Sequence, residues 1–271
     1  MKAEVYLALV EFGRQREQAA LDLLVPTLHR VCPGAALRTV VVDNALDGEK
    51  GVGLPTPFSD VDRVSGDNTM HEFSGWDRGI AWLQQRYAPA PESILVLAND
   101  TIVRADKHDR VRDMPADRAA AASCGALVGW IDEYPRTVEL FGLVLRQWID
   151  TSLVLAEWRT LAALRPLARP PADDVFADDW RAIFREPSPL TDNYRAYLRT
   201  YFFGDRGDGE FDHGWYAQEP LSAHNFEAFK LKLRCVFCEH LLSARARARG
   251  IPLVDIRPTP LAVDPFDVVA S

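Results

Sequence analysis

Apolar positions along the chain follow two periods. Residues 5–10, 37–42 and 94–97 are short apolar or β-branched runs. Such runs suit strands buried on both faces of a parallel sheet. Between the first two, residues 15–31 place Ala19, Leu21, Leu24, Val25, Leu28 and Val31 at helical spacing, and Pro33-Gly34 closes the segment. Strand, helix and strand in so short a stretch form a βαβ unit, so the sheet is expected to begin parallel and right-handed.

The same reading continues down the chain. A short third strand is predicted over 61–64, and a helix over 74–85 with Trp76, Ile80, Trp82 and Leu83 on or near one face. A loop and a surface helix follow over 104–122, then a strand over 124–131. Residues 138–164 are strongly apolar and read as helical, with a break at 148–152. Proline and acid in 165–185 predict a linker or mobile loop, carried to residue 190 in the domain division. Helices are expected over 192–203 and 226–250, the second closed by Gly250, with a last strand over 253–256. The predicted fold is α/β: a Rossmann-like, mostly parallel sheet flanked by helices, with a helical C-terminal portion. It is expected as one domain over 1–271, divided into halves 1–132 and 133–271.

Composition narrows the function. The chain has 271 residues, 48% hydrophobic and 26% charged, with a formal net charge of −8. That supports a folded core and argues against a nucleic-acid binder, which shows a basic surface. No apolar run reaches the ~20 residues that span a bilayer. Met1-Lys2-Ala3-Glu4 leads directly into the first strand, so no signal peptide is expected and the setting is read as cytoplasmic. The lone C-x-x-C at Cys235 and Cys238 lies in a helical apolar pattern and reads as packing, not zinc. The acidic turn-rich run 204–214 lacks the spacing of a calcium loop.

Chemistry gathers where strands end. Asn99-Asp100 closes the run at 94–97 and Asp43 closes the run at 37–42. In open α/β sheets, ligands bind beyond the carboxyl ends of the strands. An acid there can hold a divalent cation and, through it, phosphate oxygens; the other reading of each is a turn.

Three pieces then fall into one order: V-V-V-D-N-A at 40–45; N-T-M-H-E-F-S-G-W-D-R-G-I at 68–80 with L-A-N-D-T at 97–101; and E-H-L-L-S-A-R-A-R-A-R-G-I-P-L-V-D at 239–255. In this order the chain resembles nucleotide-sugar glycosyltransferases of the GT-A fold, similar to family 2 and rhamnan-synthesis-type enzymes, from about residue 4 to 255. Ala98 stands where that family often has Asp or Asn, and 165–226 matches no part of it. The resemblance implies an inverting transfer from a nucleotide-diphosphate sugar to a glycan or lipid-linked glycan acceptor. The implied setting is bacterial surface polysaccharide or lipopolysaccharide synthesis, at the inner membrane face if peripheral contact occurs. A nucleotidyltransferase and an inactive nucleotide- or glycan-binding module are the alternatives.

The resemblance also implies roles. Asp100 would hold Mg2+ or Mn2+ on the donor's phosphates, with Asn99 beside it. Asp43 would contact base or ribose, the competing reading being an Asx-turn, and Asn68 would pass near the donor or close a turn. Asp77 and Arg78 would approach the sugar and diphosphate, although adjacent helical residues do not share a face. Trp76 is core or sugar platform. Glu239 is the candidate general base, its apolar neighbours raising the carboxyl pKa and the following arginines opposing that. His240 is the second candidate base. Arg245 would hold the diphosphate or brace Glu239. His213 and His224, flanking Trp215 and Tyr216, line the acceptor side or are structural.

Overall fold

The computed structural model describes residues 4–13, 15–45, 61–169, 175–203 and 221–257. Its strands are β1 (Glu4–Glu11), β2 (Ala36–Asp43), β3 (Val61–Ser65), β4 (Ile94–Asn99), β5 (Leu127–Leu140), β6 (Leu143–Glu157) and β7 (Leu253–Asp255). Its helices are α1 (Glu17–Val31), α2 (His71–Tyr87), α3 (Ala105–Arg112), α4 (Ala116–Ser123), α5 (Trp158–Leu164), α6 (Asp192–Phe203) and α7 (Phe226–Arg247). The strands make one sheet in the order β3-β2-β1-β4-β6-β5-β7. Strands β3, β2, β1 and β4 run parallel, as does β7 beside β5, while β6 is antiparallel to both neighbours. The fold is Rossmann-like α/β, a mostly parallel sheet flanked by helices.

The continuous apolar run of β1 follows from covering on both faces. Successive side chains of a strand point to opposite sides. Tyr6, Ala8 and Val10 pack with Trp76, Ile80 and Leu83 of α2. Val5, Leu7 and Leu9 pack with Leu21, Leu24 and Leu28 of α1. A third apolar cluster joins the β5–β6 hairpin to α6 and α7 through Tyr134, Trp148, Tyr194, Phe202 and Phe237. Cys235 and Cys238 are buried in the α2-side core, the packing role expected of them.

Two expectations are corrected. The apolar stretch 138–164 is mainly the end of β5 and all of β6, with only α5 helical. Residues Thr151–Glu157 are buried almost without break, so this strand has no alternation by which it could be told from a helix. Phe141 and Gly142, both at positive φ, form the two-residue turn between paired Leu140 and Leu143. Phenylalanine is an unusual turn residue, which conceals the hairpin. The expected linker after α5 alternates exposed polar residues with buried apolar anchors. Val175, Phe176, Ile183 and Phe184 are buried under α7, and Phe176 bridges Phe184.

One irregularity positions the site. The β5–β6 register jumps between Gly129, opposite Val154, and Trp130, opposite Asp150. A Cβ on Gly129 would lie 2.4 Å from Ile149 and 2.8 Å from the carbonyl of Leu153, so only glycine fits this crossing. The bulge turns Asp150, Thr151 and Ser152 toward the carboxyl ends of β1 and β4.

Candidate functional site

A cavity of about 1210 Å3 opens beyond the carboxyl ends of β1 and β4, walled by α3, the β6 bulge, α6 and α7. Among the residues named from the sequence, Asn68, Asn99, Asp100, Glu239 and His240 line it. Asp43, Asp77, Arg78 and Arg245 do not.

The β4 end is set by Asn99. Its Oδ1 accepts from the Thr101 N–H at 3.0 Å and from the Thr101 hydroxyl at 2.5 Å, while Nδ2 donates to the Thr151 carbonyl at 3.1 Å. The side chain thus caps the one-turn 3-10 helix at Asp100–Val103 and ties β4 to the bulge. Asp100 follows, half-buried, and its carboxyl is raised above the ordinary range. Burial is the main cause and Glu72 adds to it, against Arg16 and the main chain of Phe12. On the near rim, Asn68 and His71 both adopt positive φ without being glycine, a strain that persists where surrounding structure enforces it.

Helix α7 supplies the opposite wall. Ser243 Oγ accepts the Ile149 N–H at 2.9 Å, and Glu239, one turn earlier, accepts the Thr151 N–H at 3.4 Å. Residues at i and i+4 share a helix face, so one stripe of α7 reads the irregular backbone of β6. The Glu239 carboxyl is pushed up to about 8 by desolvation, then by the carboxylates of Asp150 and Glu72. Lys107 and Lys232 oppose the rise, not the arginines that follow in sequence. Arg247 instead donates to Gln147 and Arg245 to the carbonyls of Leu241 and Pro166.

His240 faces away from a base's role. It is 2% exposed, with Nδ1 at 2.9 Å from the Tyr134 hydroxyl and 2.6 Å from the Tyr194 hydroxyl. Burial pushes its pKa down to about 3, so the ring is neutral and a weak proton acceptor.

The other residues named from the sequence have these places. Asp43 is buried, and its Oδ1 accepts from Gly13 N at 3.2 Å and Ala45 N at 2.8 Å, the Asx-turn arrangement. Asp77 points to the segment after α5: Oδ1 accepts from Arg165 Nε at 2.9 Å, and Oδ2 from the N–H groups of Leu167 and Ala168 at 2.8 and 2.9 Å. Arg78 is exposed on the next position of α2. Trp76 is core, 0% exposed, its Nε1 donating to the Ala98 carbonyl at 2.9 Å. His224 is exposed outside the cavity. His213, Trp215, Tyr216 and the acidic run 204–214 lie outside the described residues. Replacing Asp77 by Ala is expected to cost about 1–3 kcal/mol of stability by leaving the two N–H groups unpartnered. Denaturant unfolding measures this, and nucleotide affinity is expected to stay unchanged.

Sequence reasoning missed several lining groups. Lys107 Nζ donates to both Asp150 oxygens, at 3.1 and 2.8 Å, and Asp150 Oδ1 also accepts the Ser152 N–H at 2.7 Å. Trp148, Tyr197 and Tyr201 form an aromatic wall beside Glu239. Glu11, at the end of β1, is 2% exposed and its carboxyl is pushed up to about 9 by desolvation, with Glu17 and Asp43 adding and Arg63 opposing. Arg63 forms a bidentate pair with Glu17 and lies 3.7 Å from Glu11. Only the break at 148–152 marked any of this in the sequence.

A magnesium or manganese ion at Asp100 needs partners. Ala98 is fully buried and apolar, and the Asn99 oxygen already accepts two hydrogen bonds. Among the described residues no three His, Cys, Asp or Glu side chains converge as a metal-holding group. Asp100 is thus a single carboxylate, where Mg2+ shared with substrate phosphates takes one or two.

No protein-family model matches the chain, and no curated protein matches it. Among solved structures it is similar to a 4-diphosphocytidyl-2C-methyl-D-erythritol synthase, at 16% identity over 60% of this chain and 79% of that chain, with a TM-score of 0.38. So slight a likeness leaves the chemistry to be argued from the site. Among the described residues no helix is long and apolar enough to cross a membrane.

Proposed function

We propose that this chain is a glycosyltransferase that moves a sugar from a nucleotide-diphosphate donor to a hydroxyl of a glycan acceptor, with inversion. The observation that carries the reading is that Asp100, from the end of β4, and Glu239, from α7, face one undivided cavity. A filled or divided pocket would have sunk it.

The donor lies along the carboxyl ends of β1 and β4, where open α/β sheets bind ligands. The acceptor lies against Trp148, Tyr197 and Tyr201, whose apolar faces suit the C–H face of a sugar ring. Ionised Glu239 takes the acceptor hydroxyl's proton as the new C–O bond forms, and the bond to the nucleotide diphosphate breaks on the opposite face of the sugar. The Thr151 N–H donates to one carboxylate oxygen, and Glu239 lines the cavity. Asp100 supplies an acceptor for donor hydroxyls. No step requires a metal.

Nucleotidyl transfer is the second reading, since it uses the same kind of strand edge with a nucleoside triphosphate and releases pyrophosphate. Against it, the first glycine after β1, where a phosphate loop would begin, has its N–H donating to Asp43. A thermal-shift panel of UDP-, GDP-, dTDP- and CMP-sugars beside the nucleoside triphosphates separates the two. One nucleotide sugar is expected to stabilise the fold by roughly 2.7 kcal/mol at a hundred times its dissociation constant. A response to triphosphates alone would replace glycosyl by nucleotidyl transfer. A response to neither would leave a binding module.

A further inference from the structure

The helix that follows Asp100 carries cations on a single stripe. Arg104 caps α3, and Lys107 and Arg110 follow at i+3 and i+6. Positions three apart on a helix are surface neighbours, so the three form a row about 9 Å long. All three line the cavity, in a chain whose net charge is −8. Asp106, Asp132 and Asp150 line the same cavity, and the row is the cationic part of that mixed wall.

Each cation has an acidic or aromatic neighbour that fixes its place on the wall. Arg104 Nε lies 3.5 Å from Asp106, a largely exposed pair that a stronger anion can outcompete. Lys107 is fixed by Asp150, which is itself held by the Ser152 N–H. The Arg110 guanidinium lies over the Trp130 ring at 3.3 Å from its centroid, a cation–π contact that holds it at the wall. Trp130 is steadied in turn by its Nε1 bond to Asp132 at 2.8 Å.

We propose that the Arg104–Lys107–Arg110 row is the binding site for the donor's diphosphate and holds its charge without a divalent cation. The proposal rests on the nucleotide-diphosphate reading above. Where a metal would neutralise the departing diphosphate, Arg104 and Arg110 do so, with the Asp150-paired Lys107 between them. Their charge-assisted N–H bonds strengthen as negative charge collects on the leaving group.

Titration calorimetry of the full chain with inorganic pyrophosphate, UDP and GDP tests this, each run in EDTA and again with Mn2+, at low and high salt. Binding is expected to persist in EDTA and to weaken as salt rises. Arg104→Gln and Arg110→Gln are each expected to lower pyrophosphate affinity about tenfold or more, the usual cost of losing a hydrogen bond to a charged group. Lys107→Gln should do the same, and because it also strips Asp150 of its partner, its fold is checked by thermal unfolding. If that variant does not fold, the two arginine variants decide. Arg112→Gln removes the same charge from the outer face of α3, where Arg112 pairs with Asp109 and Asp113, and is expected to bind as wild type. Binding that vanishes in EDTA and in Asp100→Ala, with the row variants unaffected, would overturn the proposal. So would no binding of any of the three probes. Pyrophosphate binding to the row with no response to any nucleotide would keep the anion site and remove the nucleotide-sugar reading. Nucleotide-sugar turnover indifferent to the row would keep the transferase and remove the site.

Discussion

Glu239→Gln is expected to lower sugar transfer by about 10²–10⁴-fold, the usual worth of a positioned base, while leaving donor affinity within a few-fold of wild type. The substitution keeps the shape of the side chain and its acceptor for the Thr151 N–H, so the loss reports on proton transfer rather than folding. The wild-type pH profile is the companion measurement. With its carboxyl pushed up to about 8, Glu239 is mostly protonated at neutral pH and becomes a base only as pH rises. The rate is therefore expected to climb through about pH 8 and then level off. Stability should move the other way: a carboxyl whose folded pKa is raised binds its proton more tightly when folded. Its contribution is thus lost progressively between the ordinary carboxylate range and about pH 8. A rate flat across this range, or a Gln variant as active as wild type, would remove Glu239 from the mechanism.

Trp76→Ala is expected to destabilise the fold by about 3–5 kcal/mol, the range for truncating a large aromatic in a core. Trp76 fills the space between β1, β4 and α2, contacts Phe73 edge-on at a centroid distance of 5.4 Å, and donates to Ala98. Removing it opens a cavity and leaves the Ala98 carbonyl without that donor. Trp76→Phe should lose less, because most of the volume remains. Urea unfolding of both variants, with donor binding measured in parallel, checks this. A sugar platform would instead show near-wild-type stability and a large loss of affinity in both.

The parts of the site legible from sequence are those tied to strand ends. Asn99-Asp100 follows an apolar run whose character requires a buried parallel strand, and the carboxyl edge of such a sheet is where the cavity lies. Glu239 was legible as an acid within an apolar helical pattern. Asp43, Asp77 and Arg245 were not separable from ligand-binding residues in sequence, because a carboxylate or guanidinium serving backbone groups has the same neighbours in the chain as one serving a ligand. Only packing shows their contacts with Gly13, Leu167 and Pro166. His240 is similar: its neutrality comes from burial, beside Tyr134 and Tyr194, which are 106 and 46 residues away.

What the chain determines by itself is the sheet's parallel half, the helices that cover it, and the acid at the end of β4, since all follow from local period and from strand-end position. Tertiary structure decides the rest. It makes 143–157 a strand by pairing it on both sides, which no local pattern specifies for a segment buried on both faces. It shifts that strand's register opposite Gly129 of β5, so that Asp150 and Thr151 meet Glu239 and Lys107. The proton affinity of Glu239 is decided there too, because desolvation and neighbouring charge are set by what folds around a carboxyl and not by what precedes it in sequence.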